Sequence, residues 1–461
     1  MPNMQAEKNK MPEQDALARS QNFLEVAEGY TMEQAVSESD RCLQCKKPVC
    51  MEGCPVSIPI PQFLGKVKDG DMEGAYKILS DANTLPAISG RVCPQETQCE
   101  GRCVRGIKHE AVGIGRVERF VADWARENGI SNVETAPSNG HKVGIIGSGP
   151  AGLTCAGELA RMGYEVTVFE AFHVAGGVLS YGIPEFRLPK DIVKKEVESL
   201  EKMGVKFEMN MVIGKVLTIT DLFAMNYEAV FIASGAGLPM FMKIPGEGLV
   251  GVYSANEYLT RINLMKGYLP DSSTPVLQSK KVAVVGGGNV AMDAARCARR
   301  LGAEVHIIYR RGEEELPARL EEIHHAKEEG IIFDLLTAPT SIEGDDKNRV
   351  TAINCVKMEL GEPDASGRRR PVVKEGSEFA MEMDAVIMSI GTSANPMSYE
   401  GTPGLERNKW GCVDTQEDGT TTAAGVFAGG DAAIGAATVI LAMGAGKTSA
   451  ASIDEYIKNK K

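Results

Sequence analysis

The chain contains 461 residues, of which 43% are hydrophobic and 24% are charged. A chain of this length exceeds one hydrophobic core, so about three domains are expected, and this composition excludes disorder as the dominant state. The 50 Lys and Arg against 62 Asp and Glu give a net charge of −12, which argues against broad binding to nucleic acids or anionic membranes.

The start of the chain and its longest uncharged stretch predict neither export nor a membrane span. The N-terminal segment lacks the apolar core of a secretory signal. The stretch Ala432–Gly446 is too short and too rich in glycine to cross a membrane. We therefore expect a cytoplasmic protein in a reducing compartment, where its eleven cysteines need a role other than disulfide bonding.

Seven of the eleven cysteines form two groups near the start of the chain. The first group has the spacing C-x2-C-x4-C-x3-C-P, and the second has the spacing C-P-x4-C-x3-C. The seven residues are Cys42, Cys45, Cys50, Cys54, Cys93, Cys99 and Cys103. Such groups are typical of metal sites in a reducing compartment, and the Cys-Pro ending favours iron–sulfur clusters. Zinc is the alternative, although it prefers paired C-x2-C knuckles and only one such pair occurs here.

A helical domain over residues 1–138 is expected to carry these cysteines. Helices are predicted over residues 14–28, 32–41, 62–69, 72–82 and 111–128. Two [4Fe–4S] clusters need eight ligands, whereas the two groups supply seven thiolates. Glu118 lies at the edge of the apolar face of the last predicted helix, and a buried carboxylate is costly unless it is paired or bound to metal. Glu118 is therefore the candidate for the eighth ligand, and a carboxylate paired with an arginine is the alternative.

The first part of an FAD-binding domain is predicted over residues 139–250. An apolar strand at Val143–Ile146 leads into a G-x-G-x-x-G turn, a helix and a second strand that ends at Glu170. The glycines let the backbone approach a pyrophosphate at the N-terminus of the helix, and the acidic residue can bind a ribose diol. The alternative is a glycine-rich helix cap without a ligand. The predicted contacts in this turn are Gly147, Gly149, Pro150, Ala151 and Gly152.

An NADP-binding domain is predicted over residues 251–392. A strand at Val282–Val285 leads into a G-x-G-x-x-A turn, a helix and a strand at Glu304–Tyr309. At the ribose position this unit has Arg310 and Arg311 in place of an acid, which favours a 2′-phosphate and therefore NADP(H) over NAD(H). Two exposed arginines at the end of a strand are the alternative. The predicted contacts in the turn are Gly286, Gly287, Gly288, Asn289 and Val290.

Two Rossmann units in one chain predict a two-dinucleotide flavoprotein of the α/β class, with the NADP-binding domain inserted into the FAD-binding domain. The chain should return to the flavin site within residues 393–461, where an apolar strand ends in G-G-D and a long helix of small residues follows. Asp431 can bond to the ribityl chain, and the N-terminus of that helix can face the flavin ring. Gly177, Gly430 and Thr438 are further predicted FAD contacts.

The order of these motifs resembles the glutamate synthase small-subunit family of FAD- and NADPH-dependent iron–sulfur oxidoreductases. The motifs are RVCPQETQCEGRC at residues 91–103, GSGPAG at 147–152, YGIPEFRLPK at 181–190, GGGNVAMD at 286–293, YRR at 309–311 and GGD at 429–431. The resemblance extends over nearly the whole chain. It includes the large subunit of the NADH-dependent ferredoxin:NADP oxidoreductase (Nfn) and the N-terminal half of dihydropyrimidine dehydrogenase.

The resemblance implies two [4Fe–4S] clusters whose ligands cross between the two cysteine groups. One cluster would be bound by Cys42, Cys45, Cys50 and Cys103, and the other by Cys54, Cys93, Cys99 and Glu118. The resemblance also implies that Arg187, in the FRLPK segment, lies near the flavin, where a cation would stabilise the reduced anionic form. Arg187 is therefore the candidate catalytic residue, and a structural salt bridge is its alternative.

These features predict an oxidoreductase in which hydride passes between NADP(H) and FAD, and single electrons pass between FAD and two [4Fe–4S] clusters. The chain would act as the small-subunit-type component of a glutamate synthase-like complex, so protein partner subunits are expected. The alternatives are the NADP-reducing flavin subunit of an electron-bifurcating transhydrogenase and a non-enzymatic, zinc-stapled assembly subunit. A reductase of the thioredoxin-reductase kind is disfavoured, because the other four cysteines contain no C-x-x-C pair.

Overall fold

The computed structural model describes residues 3–363, 367 and 369–460, and its first named strand begins at residue 142. The α-helices are α1 (Ala16–Arg19), α2 (Met32–Asp40), α3 (Val49–Glu52), α4 (Ile60–Lys68), α5 (Met72–Ala82), α6 (Pro86–Val92), α7 (Ile114–Glu127), α8 (Pro150–Arg161), α9 (Val178–Tyr181), α10 (Lys190–Lys202), α11 (Ile219–Ala224), α12 (Ala255–Leu259), α13 (Asn289–Arg300), α14 (Leu320–Glu328), α15 (Asp431–Ile434) and α16 (Val439–Asn459). The strands are β1 (Lys142–Ile146), β2 (Glu165–Phe169), β3 (Lys206–Glu208), β4 (Ala229–Ile232), β5 (Leu238–Pro239), β6 (Val252–Ser254), β7 (Lys281–Val285), β8 (Glu304–Tyr309), β9 (Ile332–Leu335), β10 (Thr337–Gly344), β11 (Val350–Pro363), β12 (Arg369–Val373), β13 (Phe379–Glu382), β14 (Ala385–Met388), β15 (Thr392–Ser393) and β16 (Val426–Ala428).

The N-terminal part contains four of the five predicted helices, as α2, α4, α5 and α7. The helix predicted over residues 14–28 is wrong beyond the single turn of α1. There the chain folds back on itself, because the backbone N–H of Gln14 donates to the carbonyl of Val26 at 3.0 Å and that of Glu28 donates to the carbonyl of Pro12 at 2.7 Å. These long-range bonds replace the helical ones that the local pattern predicted.

Two five-stranded parallel sheets form the scaffold of the remaining chain. The first has the strand order β16-β4-β1-β2-β3, and the second has the order β6-β14-β7-β8-β9. The strand before each glycine turn lies at the centre, since β1 pairs with β2 and β4, and β7 pairs with β8 and β14. Because β16 pairs with β4, the last part of the chain completes the first sheet, as predicted for an inserted NADP-binding unit.

Two smaller sheets accompany the second Rossmann unit and its connections. Strands β10, β11, β12 and β13 form an antiparallel sheet, in which β11 pairs with all three of the others. Strand β5, on the way out of the first unit, pairs with β15, on the way back. The two connections between the Rossmann units therefore run side by side.

The hydrophobic core is continuous from the N-terminal helices into the first Rossmann unit. Phe63 and Ile88 from the helices belong to the same buried cluster as Phe231 of β4. Fully burying a side chain of this size contributes about 1.5–3 kcal/mol, so this shared cluster holds the two parts together firmly. A second cluster surrounds β7 and also contains Val26 and Phe186, which come from outside the second unit.

Helix α16 lies against α8 at glycine residues. A Cβ atom at Gly446 would lie 2.3 Å from the carbonyl oxygen of Ala151, and one at Gly444 would lie 2.9 Å from the carbonyl oxygen of Pro55. Backbone atoms cannot move aside as flexible side chains can, so this close approach depends on glycine. Helix α16 therefore contacts both the first dinucleotide turn and the residue that follows Cys54.

Replacing Gly446 by leucine should force α16 away from α8 and lower the free energy of unfolding by about 1–3 kcal/mol, because the added atoms overlap the backbone of α8. Chemical denaturation followed by circular dichroism measures the change. The control is Ala451→Leu, at an exposed position of the same helix, which should change stability by less than about 0.5 kcal/mol. Equal stability of the two variants would contradict the packing described.

Candidate functional site

A cavity of about 1480 Å³ lies between the two Rossmann units. Both glycine turns line it, and so do Glu170 after β2 and the arginines after β8. A pocket for one drug-sized ligand occupies about 300–1,000 Å³, so this cavity has space for more than one ligand. The carboxyl ends of the two central strands therefore open into one shared space, which is where α/β sheets of this kind bind ligands.

The first glycine of each turn cannot be replaced without strain. Gly147 has a φ of +100° and Gly286 has a φ of +139°, both in the left-handed region. A Cβ atom at Gly147 would lie 2.5 Å from the carbonyl oxygen of Ala233, and one at Gly286 would lie 2.2 Å from that of Ser389. Each turn therefore passes directly against the residue that follows the neighbouring strand, β4 or β14.

The second glycine of each turn instead faces open space. Gly149 caps α8 and Gly288 caps α13, both with extended backbone. A Cβ atom at either position would meet no atom within 4 Å. The missing side chains leave room at two helix N-termini, where free N–H groups and the helix dipole bind anions. Both turns therefore fit a pyrophosphate.

The other predicted contacts of the first turn hold the helix close to the sheet. Pro150 is the first residue of α8, where its fixed φ suits a helix and its missing N–H costs no hydrogen bond. Ala151 and Gly152 are buried in the next positions. A Cβ atom at Gly152 would lie 2.0 Å from the carbonyl oxygen of Gly147, so only glycine permits this approach. Pro150 and Ala151 line the cavity, whereas Gly152 lies behind it.

Glu170, which directly follows β2, is a buried carboxylate beside the first turn. Its Oε2 accepts hydrogen bonds from the backbone N–H of Ser148 at 2.9 Å and from the hydroxyl of the same residue. Its Oε1 accepts from the backbone N–H of Phe172 at 2.8 Å. These bonds fix the carboxylate at the cavity wall, and a carboxylate has further lone pairs with which to accept from ribose hydroxyls.

Two glycines bring distant segments onto the first turn. Gly177, with a φ of +53°, would place a Cβ atom 2.9 Å from the Cα of Gly149. Gly430, with a φ of +63°, would place one 3.0 Å from the Cβ of Ala151. The segments before α9 and α15 thus close around the turn, and they do so only because both positions lack a side chain.

Asp431 and Thr438 complete the wall that comes from the last part of the chain. Asp431 accepts a hydrogen bond from the backbone N–H of Ala437 at 3.2 Å, and burial raises its pKa. Thr438 caps α16, where its hydroxyl accepts from the N–H of Leu441 at 3.4 Å. The N-terminus of α16 therefore lies at the cavity wall, and its contact with the flavin ring stays a prediction.

The second glycine turn is held by contacts with other residues of the NADP-binding unit. A Cβ atom at Gly287 would lie 2.8 Å from the ring of Tyr309. The side-chain oxygen of Asn289 accepts a hydrogen bond from the backbone N–H of Arg319 at 2.9 Å. Val290 lines the cavity and is 45% exposed. This turn therefore presents both an anion cradle and an apolar surface to a ligand.

Both arginines after β8 line the cavity, but they differ in burial. Arg310 is exposed, whereas Arg311 is buried, with its Nε donating to the carbonyl of Arg369 at 3.0 Å. A positive charge at this edge suits a phosphate group. Arg310 is the more accessible of the two for an added 2′-phosphate.

Arg187 lines the cavity, but its guanidinium binds two carboxylates of the second unit. Its Nη1 donates to both oxygens of Asp293 at 2.8 Å, and its Nε lies 2.9 Å from Oε1 of Glu322. Burial acts against the charge, but these carboxylates raise the pKa of Arg187 above its ordinary value. The neighbouring Phe186 stacks under Arg300, 3.8 Å from ring centre to guanidinium carbon. The geometry favours the salt-bridge alternative, and a role at the flavin stays a prediction.

Four thiols converge in what we call the distal thiol group. It consists of Cys42, Cys45, Cys50 and Cys103, which line one small cavity. Burial, together with the nearby thiols of Cys103 and Cys42, raises the pKa of Cys50 to about 11. All eleven cysteines are free of disulfides. Four soft sulfur donors facing one space form a donor set that fits an iron–sulfur cluster.

Three thiols and one carboxylate converge in what we call the proximal group. It consists of Cys54, Cys93, Cys99 and Glu118. Burial raises the pKa of the Cys93 thiol well above its ordinary value, and the charges of Glu118 and Cys54 act in the same direction. Burial also raises the pKa of the Cys99 thiol, and Cys93 and Glu118 are among the charges that raise it.

Glu118 is a buried carboxylate that is oriented by two side-chain hydrogen bonds. Its Oε1 accepts hydrogen bonds from the hydroxyl of Ser89 at 2.6 Å and from the amide of Asn83 at 3.0 Å. Burial raises the pKa of Glu118 to about 7. Among the described residues no arginine pairs with it, so the paired-carboxylate alternative lacks its partner. Hydrogen bonds of this kind orient metal-binding carboxylates, and here both go to one oxygen.

The spacing of these donors differs from that of a mononuclear site. Within the described part of the chain, no three His, Cys, Asp or Glu side chains are placed to bind a single metal ion. A [4Fe–4S] cluster has a different requirement, because its four ligands bind four separate iron atoms. The sulfur-rich donor sets fit such clusters, in which each ligand binds its own iron atom.

The proximal group lies next to the large cavity. Val92 and Pro94, on either side of Cys93, both line that cavity. Pro55, which follows Cys54, contacts α16 at Gly444. The distal group lies farther out, with each of its cysteines partly exposed and none lining the large cavity. The large cavity, the proximal group and the distal group thus follow one another from the cleft between the Rossmann units to the surface.

Several residues that organise the site were not identified from the sequence. Ser148, which fixes Glu170, lies inside the first glycine motif and could have been inferred from it. Asn83, which follows α5, and Ser89 of α6 donate hydrogen bonds to Glu118, and only the tertiary packing brings them together. The partners of Arg187 come from α13 and α14 in the same way.

Comparison with known proteins gives consistent results along the chain. A family model described as dihydropyrimidine dehydrogenase domain II, 4Fe-4S cluster, matches residues 19–130, and one described as pyridine nucleotide-disulphide oxidoreductase matches residues 141–451. The glutamate synthase (NADPH) small chain of Halomonas elongata is 38% identical over 450 residues, which cover 96% of this chain and 95% of the relative.

Two further comparisons differ in how much they cover. The NADP(+)-dependent formate dehydrogenase subunit beta of Moorella thermoacetica is 40% identical over 435 residues, which cover 89% of this chain and 60% of that longer relative. The solved structure of Mycobacterium tuberculosis FprA in complex with NADPH matches 70% of this chain and 85% of FprA, with a TM-score of 0.59 and 20% identity. That likeness shows the fold alone.

The two Rossmann units and the N-terminal cysteine groups define an NADPH-dependent iron–sulfur flavoprotein oxidoreductase. Within this class, the chain belongs to the family of the glutamate synthase small chains. A disulfide reductase is again disfavoured, because Cys155, Cys297, Cys355 and Cys412 are buried on different elements. Among the described residues, no helix combines the length and the apolar character that a membrane crossing requires.

If each donor group binds one [4Fe–4S] cluster, replacing Cys54 by serine should lower the iron content from about eight to about four atoms per chain, because each cluster contains four irons. Iron analysis of anaerobically purified protein measures this, with flavin content as the reference for folding. The control is Cys412→Ser, which changes a buried cysteine outside both groups and should retain all the iron. Full iron content in the Cys54 variant would contradict the assignment.

Proposed function

We propose that this chain transfers electrons between NADP(H) and a partner subunit by way of bound FAD and two [4Fe–4S] clusters. The observation that carries the proposal is the shared cavity, which joins both glycine turns and reaches the residues on either side of Cys93. A nicotinamide, a flavin and the proximal group would therefore lie in sequence around one enclosed space. Purified protein should contain FAD and iron together, and NADPH should bleach both the flavin band and the cluster band.

The two dinucleotides would be held by matching parts of the two units. The cradles at Gly149 and Gly288 would bind the pyrophosphates, and the fixed carboxylate of Glu170 would bind the FAD ribose. Asp431 and the N-terminus of α16 would face the flavin side of the cavity. FAD, when bound, supplies the conversion between two-electron hydride exchange and single-electron transfer.

The two groups of metal donors would have different positions along the path. Cys93 and Glu118 of the proximal group are buried and the group lies next to the cavity, so it would exchange electrons with the flavin. The distal group is partly exposed, so it would exchange electrons with the partner. Oxygen ligation by Glu118 would give the proximal cluster electronic properties unlike those of an all-thiolate cluster.

Arg187 would act by holding the FAD and NADP units in a fixed arrangement. Its two ion pairs link the FRLPK segment of the FAD unit to α13 and α14 of the NADP unit. The stacking of Phe186 under Arg300 adds a second attachment beside it. Together these contacts would hold the two halves of the cavity at a fixed separation, which hydride transfer requires.

The partner we propose is a glutamate synthase-type large chain. The alignment covers 95% of a glutamate synthase small chain but only 60% of the formate dehydrogenase subunit, so the present chain matches the former as a whole. Mixing the purified chain with a glutamate synthase large chain should yield NADPH-dependent glutamate formation. Activity only with a different copurifying subunit would favour a transhydrogenase-like complex instead.

The surface around the distal group, which we call the distal face, fits an acidic partner. Its apolar centre consists of Leu43, Val49, Val104 and Ile107, which are 38%, 36%, 40% and 79% exposed. Its exposed cations are Lys46, Lys47, Arg102 and Lys108, of which Arg102 is paired with the exposed Glu52 at 3.7 Å. On a chain whose net charge is −12, this basic patch with an apolar centre stands out as a place for a negatively charged redox protein to dock.

Reversing the charge of Lys46 and Lys47 to glutamate should slow electron exchange with an acidic one-electron protein on the order of tenfold at low salt, because electrostatic steering is lost. Reduced plant-type ferredoxin serves as the probe, and NADPH formation is the readout. The matched control is Lys194→Glu with Lys195→Glu, an exposed lysine pair on α10. Equal rates for both double variants would contradict docking at the distal face.

Replacing Arg310 by alanine should lower kcat/KM for NADPH about 10- to 100-fold and leave NADH nearly unaffected, because a charged hydrogen bond to the 2′-phosphate is lost. Stopped-flow reduction of the bound flavin measures both rates. Lys280→Ala is the control, since this exposed cation lies just before β7, at the amino end of the strand and opposite the end that opens into the cavity. Equal rates with NADPH and NADH in the unmodified protein would refute the assignment of the arginine pair.

A further inference from the structure

Arg319 is a buried arginine that links the NADP unit to the loop carrying Cys93. It comes directly before α14, and its side chain is 7% exposed. Its Nη1 donates to the carbonyl of Arg91 at 3.1 Å, and its Nη2 donates to the side-chain oxygen of Gln95 at 3.0 Å. The guanidinium therefore holds the chain two residues before and two residues after Cys93.

Gln95 extends this contact to the next cysteine. Its backbone carbonyl accepts hydrogen bonds from the N–H groups of Gln98, Glu100 and Gly101, which surround Cys99 in the chain. The loop from Cys93 to Cys99 is thus organised around one residue, and Arg319 fixes the side chain of that residue. Two of the three thiols of the proximal group depend on this arrangement.

The other end of Arg319 is tied to the dinucleotide site. Its backbone N–H donates to the side-chain oxygen of Asn289, the residue that follows the open cradle at Gly288. The charge of Arg319 is partly balanced, since Glu321 accepts from Nη2 at 2.9 Å and Glu96 lies 3.8 Å from Nε. Both carboxylates are about one third exposed, so water screens them more than it screens the guanidinium.

We propose that Arg319 is a positioning residue for the proximal cluster, which holds the Cys93–Cys99 loop and raises the reduction potential of the cluster through its positive charge. The inference rests on the proposed function, because it requires a cluster at the proximal group. Reduction adds one negative charge to a cluster, and a nearby buried cation stabilises that form. The NADP unit would in this way favour electron flow from the flavin toward the cluster.

The test is a redox titration of the proximal cluster, followed by electron paramagnetic resonance, in the full chain with both clusters loaded. Arg319→Gln should lower the midpoint potential, so that the ratio of reduced to oxidised cluster at a fixed potential falls on the order of tenfold, as removal of a nearby buried charge requires. Arg319→Lys keeps the positive charge, so its midpoint potential should stay close to that of the unmodified protein. Arg299→Gln, an arginine of α13 that bonds to the carbonyl of Glu329, is the control and should leave the potential unchanged.

A second variant separates charge from folding. Glu321→Gln removes the carboxylate that balances Arg319, so it should raise the potential, a shift opposite to that of Arg319→Gln. If both residues had only a structural role, the two substitutions would not shift the midpoint potential of the cluster in opposite directions. If Arg319→Gln loses iron, the Glu321 variant decides: a raised potential supports the inference, and an unchanged one overturns it.

The failure of the inference is distinguishable from the failure of the proposed function. Protein that contains no iron in any form would refute the proposed clusters themselves. Protein with full iron in which Arg319→Gln and Glu321→Gln both leave the potential unchanged would overturn only the role of Arg319.

Discussion

The packing of the N-terminal helices onto the first Rossmann unit is the constraint on which the rest of the molecule depends. Because the two parts share one hydrophobic core, the loops that carry Cys54 and Cys93 cannot move independently of the glycine turn at Gly147. Gly444 and Gly446 bring α16 within van der Waals distance of both parts. The donors of a one-electron centre and the walls of a dinucleotide cavity are thereby held in one rigid body.

The second Rossmann unit is attached to this body by buried ion pairs as well as by the apolar contacts of Val26 and Phe186. Arg187 from the FAD unit and Arg19 from the N-terminal segment both reach carboxylates of the NADP unit, Glu322 and Glu329 among them. Removing one partner of such a buried pair leaves an uncompensated charge, which costs about 3–5 kcal/mol. These ion pairs are therefore better suited to fixing the orientation of the unit than to adding net stability.

The predicted fold and the observed fold agree where local pattern and long-range packing require the same structure. The glycine turns, the two parallel sheets and the return of the chain at β16 all follow from strand, turn and helix signals that are strong over short windows. The segment over residues 14–28 shows the limit of such signals. Its residue pattern predicts a helix. The observed fold-back is instead stabilised by hydrogen bonds to the carbonyls of Val26 and Pro12 and by the burial of Val26 against the NADP unit. Together these contacts stabilise the segment more than helical hydrogen bonds would.

The sequence alone determined the chemical types in the site. Glycine spacing defined two anion cradles, the residue after the second strand distinguished FAD from NADP, and cysteine spacing indicated iron–sulfur donors, because each signal depends on a few residues close together in the chain. Only the tertiary structure decided which donors meet. It placed Glu118 with Ser89, engaged Arg187 with carboxylates instead of leaving it free, and set Arg319 beside Cys93. These are contacts between residues far apart in sequence, and their energies depend on burial that no local window contains.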